Sequence, residues 1–474
     1  MRKLIDRVLL SAFLFWAFLL SSAVCQSAAL AQEQAAAAPA PVSFAKDVAP
    51  ILLKKCQACH GQTDPKGGYQ LINFTALMKP GDSAAAPATP MKLDESEIFR
   101  LVSSQDKDER MPKDADPLAA EQIALIKRWI EEGAKFDGPD ANAAMASLVP
   151  KGPHPAAPQA YRTTMPITAL AFRPDGQELA VGGYHEITIW NPATGALIRR
   201  IGNVDQRTYG LAYNKEGTLL AAASGTPGIS GEVKLFDPNS GAVVKDLGAF
   251  SQEAFDVAFN PAGTKLAACS ADRSIRIFDV ASGAQDKLIE DHADWVVDIA
   301  WNHDGTRLAS ASRDKTSKVF DAATGDSLAT FPGHGEAVYS VSFSPDGALI
   351  YSGGGNRQIH LWKPADGAKT ADIGGFGGDV FKVLVLGDMV YSCSADKTAR
   401  QHKTADRAQV RSFNGHTDWV YCLAVNEATK RLATGSFDGE VRVWNLDDGA
   451  AVATFKAAPG LQPAAPPAAA AAAK

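Results

Sequence analysis

Sulfur and imidazole are both scarce in this chain, with six cysteines and nine histidines in 474 residues. So few thiols exclude a disulfide-built scaffold, leaving apolar packing to hold the fold. Basic clusters are missing as well. A net charge of -6 with no basic patch argues against a nucleic-acid partner. A hydrophobic content of 46% supplies core for two or three domains over this length.

The N-terminus reads as an export signal over residues 1–31. Arg2, Lys3 and Arg7 form a positive region, Val8 to Leu20 an apolar run, and Ala29-Leu30-Ala31 an A-x-A cleavage site. Losing Arg2, Lys3, Arg7 and Asp6 makes the exported form two charges more negative than -6. Two other readings concern this segment. The apolar run approaches the lower length limit for an uncleaved membrane anchor facing the periplasm, and Cys25, although preceded by the bulky Val24, would be the lipidation cysteine of a lipoprotein.

The scarce residues are concentrated in one place, Cys56-Gln57-Ala58-Cys59-His60. Two thiols three apart followed by histidine form the pattern for covalent haem c attachment: the thiols add to the porphyrin vinyl groups and the imidazole becomes the proximal iron ligand. A redox CxxC or half a zinc site would use the same spacing, but no second CxxC exists and the other cysteines lie far off. Export suits the motif, since bacteria join haem to these proteins outside the cytoplasmic membrane. A linker at 32–42 leads to a segment at 43–137 in which His60 is the sole histidine. The sixth ligand is then methionine, lysine, water or a residue from elsewhere. Among Met78, Met91 and Met111, Met111 has the suitable setting, a loop stiffened by Pro112 just before a helix expected over 118–132. An earlier apolar face, Phe44, Val48, Ile51 and Leu52, predicts a helix leading into Cys56, with Pro50 either in its first turn or kinking it.

These residues resemble the planctomycete-type cytochrome c domain. The match runs from Phe44 to Phe136 through Asp47-Val48, Pro50-Ile51-Leu52, the CxxCH with Gly61, Gly67-Gly68, Pro80-Gly81-Asp82, Ser96, Arg110-Met111-Pro112, Trp129-Ile130 and Gly133-Ala134. The resemblance implies a small all-α domain holding one covalent haem through Cys56 and Cys59, with His60 and Met111 as axial ligands.

A Pro/Ala/Gly-rich stretch at 138–159 reads as a linker. Beyond it the chain repeats. Trp190-Asn191, Phe236-Asp237, Phe278-Asp279, Phe320-Asp321, Trp362-Lys363, His402-Lys403 and Trp444-Asn445 follow at spacings of 46, 42, 42, 42, 40 and 42. Seven units of this period, each reading as four strands, predict an all-β seven-bladed propeller over 160–456. The last unit resembles WD-repeat proteins, through Gly415-His416, Ser436, Asp438 and Trp444, and the resemblance implies that His416, Ser436, Asp438 and Trp444 form a structural hydrogen-bond set inside the blade. His292, Ser312 and Asp314 repeat it with Phe320 in place of tryptophan. Such sets recur with the repeat, which points to structure rather than to a hydrolase. The arrangement also invites comparison with nitrite reductases that join a cytochrome c domain to a haem-bearing propeller, but the propeller histidines offer no evident ligand pair. Cys269, Cys393 and Cys422 read as buried free thiols, and the tail at 457–474 as disordered.

Tyr209, Phe255, Tyr339, Phe381 and Tyr421 share one register near the start of the innermost strand in five of seven units. They either anchor a protein or peptide ligand at the central funnel or pack blade against blade. The expected function is an exported, periplasmic electron carrier with one haem c, a redox partner protein, and a propeller as protein-binding scaffold. A haem-based redox or gas sensor and a subunit of a propeller-containing oxidoreductase are the alternatives.

Overall fold

The computed structural model describes residues 41–461, except 58, 62–64, 114, 139, 143, 144 and 150–152. The export signal, Cys25, nearly all of the 32–42 linker and the tail beyond 461 lie outside the described residues. The chain divides into two compact units, Met1–Pro150 and Lys151–Lys474.

In the first unit, a π-helical turn at Phe44–Val48 is capped by the Ser43 hydroxyl, which accepts from the Lys46 N–H. It runs directly into α1 (Ala49–Lys55). Pro50 therefore sits in the first turn of α1, where proline is tolerated. Three further helices follow, α2 (Phe74–Leu77), α3 (Glu97–Ser103) and α4 (Ala120–Glu131). The core gathers Phe44, Leu52, Leu77, Ile126, Trp129 and Ile130. Phe44 lies at its centre, with ring centroids 4.8 Å from Phe74 and 5.4 Å from Trp129. Trp129 keeps its polar edge satisfied by donating Nε1–H to the Lys135 carbonyl at 2.9 Å.

The stretch at 138–159 is mostly not a free linker. Residues Met145–Leu148 form α5, whose Met145 and Leu148 are buried in the first core. The Met145 N–H donates to the Ile72 carbonyl at 2.7 Å, and Ala141 accepts from the Thr75 N–H at 3.0 Å. On the other side of the unit boundary, the His154 N–H donates to Asn203 Oδ1, and Arg200 reaches the Pro158 carbonyl at 2.6 Å. Only two apolar side chains anchor α5, too few to show as a period within Ala- and Pro-rich sequence.

The second unit is a ring of seven four-stranded antiparallel sheets, each formed by four consecutive strands. The blades cover 170–201, 207–250, 254–289, 296–331, 338–373, 380–413 and 420–456. The second strands are buried along their length, as in Leu220, Ala221, Ala222 and Ala223, because the next blade covers each sheet from the other side. The aromatic at the end of the third strand fills the gap between blades: Phe236, Phe278, Phe320 and Trp362 are all fully buried. The last blade closes on the first without exchanging a strand. The Ile167 N–H donates to the Ser436 carbonyl, Trp190 stacks on Phe455, and Asn426 donates to the Arg173 and Pro174 carbonyls. Ala457 and Ala458 are buried and Pro459 accepts from the Tyr161 N–H, so the first residues of the 457–474 tail belong to this seam.

Candidate functional site

One apolar cavity of about 280 Å³ opens in the first unit. Its walls are Leu52 from α1, Ile98, Leu101 and Val102 from α3, Ile126 from α4, and Leu71. Cys56, His60 and Met111 all line it. The His60 N–H returns to the Cys56 carbonyl at 3.1 Å, which holds the motif in a tight turn. His60 Nδ1 donates to the Tyr69 carbonyl at 3.2 Å, fixing the tautomer and leaving Nε2 as a free lone pair. On the other side the Met111 N–H donates to the Leu101 carbonyl at 3.1 Å, tying the thioether loop to the end of α3. Of the competing methionines, Met78 packs on the core outside the cavity lining and Met91 is 70% exposed. Cys59 is exposed and stands outside the lining.

The donor set fits a haem c: an imidazole, a thioether and a thiol face one largely apolar cavity, with Lys66, Tyr69 and Glu97 also in its lining. Burial, with help from Cys59, pushes the Cys56 thiol up to about 11. Gly81 shapes the mouth, since a Cβ there would stand 2.4 Å from the Gly67 carbonyl oxygen.

In the propeller, the five aromatics of shared register each occupy a β-bulge. The pairing of first and second strands skips one residue in six blades, at Tyr209, Phe255, Val297, Tyr339, Phe381 and Tyr421. A bulge re-aims the extra side chain, and here it leaves all five rings half-exposed. Tyr209 meets Phe255 at 5.3 Å, and Tyr339 meets Phe381 at 5.4 Å, with Tyr421 4.9 Å beyond. The rings therefore touch across blades while keeping one side open. Sequence register alone missed Trp419 and Phe437, which are 45% and 47% exposed and join the same cluster. Trp295 extends the other arc, with Arg313 4.1 Å above its ring.

In four blades the residue after the bulge carries a polar side chain, Asp256, Asp298, Ser340 and Lys382, and these four meet. Lys382 Nζ stands 2.6 Å from Asp298 and 3.6 Å from Asp256, although these come from three different blades, so the three meet across the ring axis. Ser340 donates its hydroxyl to Asp298 at 2.6 Å. Burial, then the charge on Asp298, pushes the Asp256 carboxyl well above its ordinary range, whereas Asp298 is held low against burial by Lys382.

The blade hydrogen-bond set differs by one residue from expectation. Trp444 Nε1 and His416 Nε2 meet at the Thr434 hydroxyl, at 2.9 and 2.8 Å, with Asp438 3.4 Å from His416 Nδ1. Ser436 instead accepts from the Asp438 N–H and donates to the Asp418 carbonyl, bracing the turn. The fourth blade repeats this: His292 bonds Ser310 and Asp314, while Ser312 braces the turn. Cys269, Cys393 and Cys422 are buried and free.

Comparison with known proteins adds two families. Residues 56–115 match the family described as Planctomycete cytochrome C. Residues 244–279, 283–321, 325–363 and 407–445 match the WD domain, G-beta repeat. Among curated proteins, eukaryotic translation initiation factor 3 subunit I of Saccharomyces cerevisiae (strain YJM789) is 33% identical over 70 residues, 15% of this chain and 20% of that protein. Mitochondrial division protein 1 of Schizosaccharomyces pombe is 42% identical over 57 residues, 12% of this chain and 8% of its own length. Transducin-like enhancer protein 2 of Mus musculus is 37% identical over 59 residues, again 12% and 8%. The chain spans a fifth or less of the length of these relatives.

Proposed function

We propose that this protein is an exported electron carrier with one covalently attached haem c in its first unit and a protein-binding propeller in its second. The observation that carries the reading is the single cavity lined by Cys56, His60 and Met111. Cys56 and Cys59 would hold the group by thioether bonds, and His60 and Met111 would be its axial ligands. Bound there, haem supplies one-electron chemistry between ferric and ferrous iron. The chain's own part is to exclude water with Leu52, Leu71, Leu101 and Ile126, and to hold the imidazole by its bond to the Tyr69 carbonyl. A bound thioether closes the sixth position and favours the ferrous state, which supports electron transfer over gas sensing. Export is proposed from Arg2, Lys3, Arg7 and the apolar run after them. The half-exposed aromatic rim, together with the WD-repeat match, supports capture of a protein partner, and a redox partner is the one proposed.

The test is spectroscopic. The chain produced in a periplasm that attaches haem c should show a low-spin spectrum with the weak near-infrared sulfur-to-iron band and no shift with carbon monoxide. Met111→Ala should abolish the band, open the site to carbon monoxide and lower the reduction potential. An unchanged spectrum in that variant would rule out Met111 as ligand, and carbon monoxide binding by the unaltered protein would favour a sensor.

A further inference from the structure

The turns between second and third strands carry a feature that local folding rules do not call for. In four consecutive blades, from 254–289 to 380–413, the turn ends in a residue with left-handed backbone: Arg273 (φ 73°), Lys315 (φ 72°), Arg357 (φ 62°) and Lys397 (φ 72°). Each donates its backbone N–H three residues back, to the carbonyls of Ser270, Ser312, Gly354 and Ser394. A side chain with a Cβ is strained in this conformation and glycine is not. The last blade uses Gly439 (φ 76°) at the matching place. Blades three to six put a long cation there instead.

All four cations are exposed. None makes a side-chain hydrogen bond, ion pair or ring contact among the described residues. Most carboxylates on the same edge are engaged by their own turns. Asp272, Asp314 and Asp396 accept backbone N–H groups of their own turns. Asp294 and Asp418 accept the N–H of the next residue, at 2.7 and 2.8 Å. Glu290 and Glu336 are the exposed exceptions. Arg407 and Lys430 carry left-handed backbone on other turns as well, so it is the array of four exposed cations in register, without local partners, that points to a contact outside the chain.

The cations share an edge with the aromatic rim. Backbone bonds from Ala271, Arg313, Gly355 and Ala395 to the carbonyls of Glu253, Trp295, Ala337 and Asp379 join each turn to the segment leading into a bulge. We propose that this rim binds an acidic, extended protein segment, its carboxylates met by Arg273, Lys315, Arg357 and Lys397 and its apolar side chains by the aromatics inside them. The inference rests on the propeller's reading as a protein-binding unit and adds the chemistry of the partner. A protein of net charge -6 would repel an acidic segment at distance, so a local array of unpaired cations is what such a segment needs to dock.

The experiment uses the full haem-loaded chain and a fluorescein-labelled peptide repeating Glu-Glu-Phe-Pro, with a Lys-Lys-Phe-Pro peptide as its opposite, followed by anisotropy. The acidic peptide should bind more tightly than the basic one, and less tightly as salt rises. The combined R273G, K315G, R357G and K397G variant should lose about tenfold or more in affinity, while its thermal midpoint holds or rises because glycine relieves the backbone. Unchanged affinity with a lowered midpoint would make the cations structural and overturn the proposal. F381A with Y421A separates the two layers of argument: affinity that falls there but ignores the glycine changes would keep a protein-binding rim and remove its acidic preference. Binding of neither peptide would remove both. Displacement by heparin, indifferent to the aromatic changes, would assign the cations to a polyanion and overturn the proposal equally.

Discussion

Asp256 is the residue whose chemistry departs furthest from its type. It lies beside Asp298 and Lys382 at the ring axis, and its carboxyl is raised well above the ordinary range by burial and by Asp298. A carboxyl raised on folding takes up a proton, so its contribution is full below about pH 4, the unfolded value, and declines as pH rises toward the folded value. Asp256→Asn removes that decline. The variant should gain stability relative to the parent as pH goes from 5 to 8, read as a thermal midpoint difference that widens with pH. His334 has the opposite sign. Burial, with His360 beside it, lowers its folded value to about 3, so its contribution is present above about pH 6.5 and is lost as pH falls toward 3. Neither residue stood out in the sequence. Asp256 becomes unusual through burial and through Asp298, which is 42 positions away and is brought beside it by the ring.

The blade is the element whose details were partly legible. The period near forty exposed seven units, and His416, Asp438 and Trp444 were readable from it. The hydroxyl between them was not. Thr434 and Ser436 lie two apart on one strand, so they face the same side and alternation cannot choose between them. The turn decides it, because Ser436 ends the strand and is taken by the Asp438 N–H. Thr434→Val should cost about 2–4 kcal/mol, since it leaves the buried Trp444 and His416 nitrogens without a partner. Ser436→Ala should cost about 1 kcal/mol for a turn bond. Urea unfolding of the two variants checks the order. The bulges were hidden for a similar reason: Tyr209, Phe255, Tyr339, Phe381 and Tyr421 show a register, but the skipped pairing that turns them outward depends on the neighbouring strand.

At the scale of the whole molecule, two cores are built from separate stretches of chain, and the boundary between them is shorter than composition suggested. The signal was diluted because Met145 and Leu148 anchor α5 among alanines, and because His154 is held by Glu232, 78 residues on, at 2.8 Å. Limited proteolysis should cut within 150–153 and release two fragments that each unfold cooperatively; a cut that unfolds the first fragment would show a shared core. The haem reading is the claim on which the rest depends, and its ligands were legible because a thiol pair and the sole histidine of the segment stand together. The direct measurement is the intact mass and pyridine haemochrome spectrum of the chain matured in a periplasm that attaches haem c. The account predicts a mass higher by one haem that survives denaturation, with a c-type spectrum, and loss of both in the Cys56→Ala, Cys59→Ala variant. A chain that emerges at its unmodified mass, with Cys56 and Cys59 as free thiols or joined to each other, would contradict it.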